Sequence, residues 1–268
     1  MAYFIVRPQY KKETSLPPLN DCTWAEIQQA VQAGKASQYW NVGDRKAIIL
    51  NGTVGRRTFS NQTIYCYILG FNHNAELEGN NTIHFHVGFD ALTDGNHIAF
   101  CDSKYGDYGS DIAYRMKTSS SNYKGWSGSY MRSTIVPQFK NALPQELQNV
   151  LKAVNKYTDN GSQNEHYYSE DVTATQDKIF LLSEYEVKGY QYNANRYEQN
   201  SQLQYDYFKD GNDKIMYKDT STSTKCAYWL RSPYYLDART YCILSSNGAS
   251  DYTIADDSFG FAPAFVVG

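Results

Sequence analysis

His84 and His86, one residue apart with Asp90 close behind, are the first residues in this chain that could do chemistry. On a strand they share a face, but a metal site needs a third and usually a fourth ligand, and His73 and His97 could be recruited only by the fold. They read as sheet histidines with hydrogen-bond partners, and no metal is expected. Asp251, Asp256 and Asp257 offer oxygens for calcium, yet the close ligand spacing of a calcium loop is missing. Cys226 and Cys242 are candidate nucleophiles, but neither stands at a helix terminus or among basic residues that would lower a thiol pKa. Glu184 and Glu186 would lie on one face of an extended run, as solvated strand edges do. Arg231, inside Trp229-Leu-Arg-Ser-Pro233, reads as a framework residue whose guanidinium fork holds nearby carbonyls or carboxylates. These residues point to no catalysis and no cofactor.

The elements that must position them are mixed. Thr23-Trp-Ala-Glu26 has capping-box spacing, and Trp24, Ile27 and Val31 follow at helical intervals until Gly34. Lys46–Leu50 and Thr63–Leu69 read as strands, with Asn51-Gly52 as a hairpin turn between them, and Thr82–Val87 alternates like a further strand. Gly106–Tyr130, rich in Gly, Ser, Tyr and Asp, reads as a surface loop region. Leu143, Leu147, Val150, Leu151 and Val154 share a stripe, which predicts an amphipathic helix over Leu143–Lys156 packed on a sheet. Asp177–Leu182 reads as a strand closed by Ser183-Glu184, and Tyr197–Phe208 as a polar helix. With no linker or internal repeat, residues 1–268 are expected to form a single α+β domain of small antiparallel sheets with two or more packed helices.

A net charge of −3 with no basic stripe argues against nucleic acid as a partner. Residues 1–15 carry no apolar run long enough for a signal peptide, and no later run would insert in a membrane, so the chain reads as soluble, leaving a cell by lysis or on a particle. Five cysteines without a CxxC pair read as small buried hydrophobes of a reducing compartment. Tyrosine is the unusual residue, at 25 against 12 phenylalanines and 4 tryptophans. It combines contact area with a polar tip, as recognition surfaces require.

From Tyr234 to Asp257 the chain contains no Lys, Glu, Gln, Trp or Met, although these five types make up roughly a fifth of what precedes. Random replacement of the adenines in an Asn codon, AAC or AAT, yields fifteen amino acids and cannot yield these five. The segment therefore reads as a candidate product of adenine-directed diversification, the alternative being a Tyr/Ser/Asp-rich loop of ordinary origin. Along Tyr241–Ser245, alternation would put Cys242 and Leu244 in the core and turn Tyr241 and Ile243 outward, with Asn247-Gly248 as the turn that follows.

Trp229-Leu-Arg-Ser-Pro233, Phe180-Leu-Leu-Ser183 and Gly260-Phe-Ala-Pro-Ala-Phe265 together resemble a family of C-type-lectin-like domains of gut bacteria and their phages, several of them variable proteins of diversity-generating retroelements. Tyr39–Asp44, Thr82–His86 and Leu143–Leu147 extend the resemblance over most of the chain. It implies a C-type-lectin-like fold, a C-terminal variable region over 229–268, and a receptor-binding protein at a phage tail tip or on a cell. The partner implied is a host-surface protein or glycan, with a homo-oligomer, a trimer in particular, or other tail proteins as further partners. The location implied is a phage tail or the bacterial cytoplasm in which the chain is made. Carried onto this sequence, the diversified ligand-binding positions are Tyr234, Tyr235, Leu236, Asp237, Arg239, Tyr241, Ile243, Asn247, Asp251, Tyr252, Thr253, Ile254, Asp256 and Asp257. The fixed frame is Trp229, Arg231, Pro233, Cys242, Gly248, Gly260 and Pro263. Phe259 and Ala264 replace a commoner Tyr and Gly conservatively. Formylglycine-generating oxidases share a lectin-like fold and use C-terminal cysteines, which leaves Cys226 and Cys242 as the enzymatic competitor. A structural or adhesive domain without a diversified ligand site is the other alternative.

Overall fold

The computed structural model describes residues 16–109, 111–161 and 168–268; the reading of residues 1–15 as free of a leader lies outside them. Helix α1 (Trp24–Gln32) opens on the expected capping box, Thr23 accepting from the Glu26 N–H and Glu26 from the Thr23 N–H. It buries Trp24, Ile27, Ala30 and Val31. Trp24 meets Phe85 and Phe265 edge-on, at 5.7 and 6.0 Å between ring centroids. Burying each such ring contributes roughly 1.5–3 kcal/mol. The short helices α2 (Ala36–Tyr39) and α3 (Ala75–Glu78) follow on either side of the first two strands.

The main sheet is antiparallel and built from β1 (Arg45–Val54), β2 (Arg57–Phe71), β3 (Ile83–Phe89), a C-terminal strand and a later short one. The β1–β2 turn is not at Asn51-Gly52. β1 passes that dipeptide with a register shift between Leu50 and Gly52, and the chain reverses at Gly55-Arg56. Gly55 supplies the left-handed φ of +63° there, and a Cβ on it would lie 2.5 Å from that of Ala113. β3 does not alternate either. All seven of its residues are buried, because the sheet is covered on both faces.

Strand β4 (Ile98–Ala99) precedes the long loop and helix α4 (Val136–Ala142), which packs on β1. The amphipathic helix expected over Leu143–Lys156 is only α5 (Gln145–Val150), and it packs on α1 rather than on a sheet. At Leu151 the backbone turns extended, Lys152 donates to the Val266 carbonyl at 2.8 Å, and Val154 opens β5 (Val154–Asp159) instead of a fourth helical turn. Pairing with a sheet edge outcompetes a helix whose last stripe residues include two β-branched valines.

After β6 (Val172–Asp177) and β7 (Ile179–Leu181) comes helix α6 (Glu184–Lys188), where the sequence suggested only a strand end. Ser183 and Glu186 form a second capping box that starts it. Residues 197–208 are a 3-10 turn, Arg196–Ser201, followed by α7 (Asp206–Lys209), rather than one helix. The remaining strands are β8 (Met216–Lys218), β9 (Ser221–Cys226), β10 (Tyr228–Pro233), β11 (Thr240–Leu244), β12 (Ser250–Ile254) and β13 (Pro263–Val267).

The architecture is α+β: a five-stranded sheet in the order β1-β2-β3-β13-β7, the smaller sheets β10-β11-β12 and β4-β8-β9, and the pair β5-β6. The apolar chain end lies inside the largest sheet, Ala264 pairing with His86 on one side and with Phe180 on the other. No helix among the described residues is long and apolar enough to cross a membrane.

Candidate functional site, a buried frame beneath an exposed hairpin

β10 is buried at every position and lies at the centre of the region. The Trp229 indole N–H donates to the Tyr114 carbonyl at 2.9 Å, and the ring meets Phe259 edge-on at 5.7 Å. Arg231, without exposed surface, donates to Thr158 Oγ1 and the Leu181 carbonyl, both at 2.9 Å, and to the Glu186 carboxylate. The other Glu186 oxygen accepts from the Lys156 ammonium at 3.0 Å, and Lys156 reaches Glu78 at 2.9 Å and the Tyr205 hydroxyl at 3.1 Å. Two carboxylates and two cations thus balance inside the protein. Burial alone would raise the Glu186 carboxyl, but Arg231 and Lys156 hold it well below the usual range. For Glu78 burial outweighs Lys156, and its pKa rises.

Glu184 and Glu186 are therefore not a solvated strand edge. Both are fully buried on α6, and Glu184 Oε2 accepts the backbone N–H groups of Tyr192, Asn193 and Ala194 at 2.8–2.9 Å. A carboxylate pair two residues apart looks the same in a sequence whether water or a nest of backbone N–H groups receives it.

His84 and His86 do share a face of β3, and both are buried. His86 shares hydrogen bonds with the Tyr67 hydroxyl at 2.8 Å and the Ala262 carbonyl at 3.1 Å, and His84 with the Tyr205 hydroxyl at 3.0 Å. Burial pushes His86 down to about 4 and His73 to about 3, so both are neutral at physiological pH. Asp90 is taken up in a turn, accepting from the Asn96 N–H at 2.7 Å. Among the described residues one grouping has metal-ligand spacing, His73, Glu78 and Glu186, whose ligand atoms lie within 4.8 Å of one another. Lys156 already supplies the counter-charge to both of its carboxylates, and a divalent ion there would stand against two buried cations. Burial raises the thiol pKa of Cys242, the reverse of what a nucleophile needs.

Above this frame the chain from Tyr234 to Asp257 makes a loop and the β11–β12 hairpin. The loop is closed by the Asp237 carbonyl accepting from the Thr240 N–H at 3.1 Å, while Arg239 pairs with the Asp237 carboxylate at 2.8 Å. Tyr234 is stacked on Tyr252, 3.9 Å between centroids and 11° between planes, with Tyr235 edge-on to Tyr234. Leu236, Arg239, Asn247, Asp251, Tyr252 and Ile254 are exposed, and Tyr234, Tyr235, Asp237, Thr253, Asp256 and Asp257 half-buried. The hairpin turn is held by Asn247, whose Oδ1 accepts from Ser245 Oγ and the Ala249 N–H, and by Gly248 at a φ of +78°. Of the frame positions, Pro233, Cys242, Gly260 and Pro263 are buried and Gly248 is half-buried. A Cβ on Gly260 would lie 2.8 Å from that of Ala99.

Tyr241 and Ile243 depart from the expected pattern: both are buried, not turned outward. β11 is the middle strand of its sheet and is covered on both faces. The loop region before α4 closes over it, and the Tyr241 hydroxyl donates to the Gly125 carbonyl at 2.7 Å. That region is not merely a surface loop. Ile112, Ala113, Tyr114, Met116 and Trp126 from it are buried, as is Asn122. The Asn122 side-chain amide lies within 2.9–3.2 Å of the carbonyls of Tyr234, Asp237 and Thr240, and its backbone N–H donates to Ala238 at 2.6 Å. Asn122 thus fixes the 234–240 loop, and nothing in the sequence around it signals that role.

A family model described as a domain of unknown function, DUF6273, matches residues 104–268, more than half of the chain. Its span takes in the loop region with Asn122, the frame and the whole hairpin. No curated protein and no solved structure matches the chain.

Proposed function

The chain belongs to the DUF6273 family, whose description assigns no activity, and we propose that its C-terminal part is a receptor-binding surface, a diversified hairpin displayed on a C-type-lectin-like scaffold. The observation that carries the proposal is the division of labour within residues 234–257. Backbone hydrogen bonds, Asn122 and the buried residues Tyr241, Cys242 and Ile243 fix the shape. The side chains of Tyr235, Leu236, Arg239, Asp251, Tyr252 and Ile254 are left at the surface or half-buried, while Asn247 is exposed but holds the turn. A scaffold tolerates arbitrary side chains only where it does not depend on them for packing. The absence of Lys, Glu, Gln, Trp and Met from the same stretch supports adenine-directed diversification as the source of those side chains.

The scaffold reading is supported by the α+β layout, in which the last strand is an interior strand of the main sheet and a separate small sheet carries the hairpin. The ligand is a protein or glycan on a host surface, the setting is a phage tail or a bacterial cell, and no catalysis is assigned. Sequencing the DNA beside the gene tests the proposal: a near-identical template repeat and a reverse transcriptase are expected. Their absence, together with unchanged host attachment when Tyr234, Tyr235 and Tyr252 are replaced, would leave a structural or adhesive domain instead.

A further inference from the structure

The hairpin's two ends differ in charge. At the turn, Lys188 donates to the Gly248 carbonyl and Lys214 packs nearby. At the other end, Tyr108, Ser120, Ile254, Asp256 and Asp257 surround an open cavity of about 250 Å³. Tyr108 is 81% exposed and Ile254 38%, so the walls are an aromatic ring and an aliphatic side chain without cover. Hydroxyls of this chain donate to both carboxylates, Ser120 to Asp256 and Thr253 to Asp257, and the Ile254 backbone also acts on Asp257. Neither has a cationic partner among the described residues, whereas Asp237 a short way along the same surface has Arg239.

Lys117, its N–H bonded to the Ala255 carbonyl, directs its ammonium to the carbonyls of Tyr123 and Gly128, and Arg115 directs its guanidinium to the carbonyl of Gly109, the neighbour of Tyr108. Counting Asp237, Asp251, Asp256 and Asp257 against Arg239, Lys117 and Arg115, this part of the face is negative by one charge. Partial burial, with Asp256 beside it, pushes the Asp257 carboxyl up, as expected of an acid that lacks a counter-ion.

We propose that this end of the hairpin receives an arginine or lysine side chain projecting from a protein partner, its aliphatic stem lying against Tyr108 and Ile254 and its charged head at Asp256 and Asp257. Long basic side chains have this two-part character, an apolar stem and a charged head. Both a tyrosine face and a carboxylate attract the head. A wall of aromatic and aliphatic surface with carboxylates at one end complements that shape and charge. The inference rests on the receptor-binding reading and names the chemistry of its partner.

The test uses N-acetyl-arginine amide, its uncharged isostere N-acetyl-citrulline amide, and N-acetylglucosamine, titrated into the full chain while amide chemical shifts are followed by NMR. The arginine probe is expected to shift the amides of Tyr108, Ile254 and Asp257 at millimolar concentration, with the citrulline probe at least about fivefold weaker. D256N/D257N, in which the amide oxygens still accept from Ser120 and Thr253, is expected to weaken the arginine probe about tenfold at an unchanged melting temperature. Equal binding of the two probes, binding insensitive to D256N/D257N, a response to N-acetylglucosamine alone, or no response at those amides would each overturn the inference. Host attachment separates the two levels. If the variant with serines at 234, 235, 251 and 252 loses attachment while D256N/D257N keeps it, the basic-side-chain inference falls and the receptor-binding reading stands. If both variants keep attachment, the reading itself falls.

Discussion

Charged residues in this protein live in two contrasting settings a few residues apart in sequence. Arg231 on β10 is enclosed and bound on several sides, to Glu186, Thr158 and Leu181, with Lys156 and Glu78 completing the array. Arg239, eight residues on, is exposed and held only by Asp237 two residues before it. A buried pair that loses one member strands the other in a medium that cannot solvate it, whereas an exposed pair gives its charges back to water. The frame therefore depends on its side-chain identities, and the hairpin surface, Asn247 at its turn apart, depends on them far less. That asymmetry is what a surface open to sequence variation requires.

Arg231→Met would break the comparison most directly. It should cost about 3–5 kcal/mol, because Glu186 stays buried with Lys156 alone, and Trp229→Ala should cost a similar amount through the cavity and the orphaned Tyr114 carbonyl. Urea unfolding of each variant measures this, and a loss below about 1 kcal/mol at Arg231 would mean that water reaches the frame.

Acid should probe the same interior. His86 and His73 have folded-state pKa values depressed to about 4 and about 3, so their contribution is complete above the unfolded value near 6.5 and is lost as pH falls from there through the folded values. His84 and His97 are displaced in the same direction by burial. Glu198, pushed up to about 7 by burial, works the other way, since its contribution is present below the unfolded value of 4.5 and lost as pH rises through about 7. Glu78, also raised by burial, works as Glu198 does, whereas Glu186, held low by Arg231 and Lys156, loses its contribution on acidification as the histidines do. Four histidines and Glu186 against two carboxylates give a net loss on acidification, with His86 alone contributing about 3 kcal/mol. A urea midpoint that stays level between pH 6.5 and 4.5 would contradict the histidine burial.

Tyr241→Phe sharpens the boundary between the two regions. It removes only the hydroxyl bonded to Gly125, and about 1 kcal/mol is expected. The same change at Tyr235, half-buried in the loop, should be smaller. Smallest per residue is the joint replacement of Tyr234, Tyr235, Asp251 and Tyr252 by serine. About 0.5 kcal/mol or less per site is expected, with roughly another 1 kcal/mol for the lost Tyr234–Tyr252 stack, while host attachment is abolished. Unfolding of this variant would show that the hairpin side chains hold the fold after all.

Part of this contrast was legible without coordinates. The capping box of α1 is a local pattern whose partners sit three residues apart. The buried chain end follows from an unbroken apolar run, and the composition of residues 234–257 set that stretch apart before any contact was known. Trp229 and Arg231 are both buried. The failures share another cause. Alternation along Tyr241–Ser245 assumed a strand with one wet face, and the segment carrying Gly125 covers that face from more than a hundred residues away. The stripe from Leu143 to Val154 suits a helix until Lys152 meets the Val266 carbonyl.

What the sequence by itself determined is whatever its own neighbours enforce: helix starts, the hairpin turn at Asn247-Gly248, and which stretches are apolar enough to be enclosed. Which carboxylates are solvated and which are locked to Arg231 and Lys156, which side of β11 is covered, and that Asn122 fastens the loop at 234–240 were decided only in three dimensions. Those contacts join segments far apart in the chain, and the desolvation that gives each of them its sign and size exists only after the surrounding elements have packed.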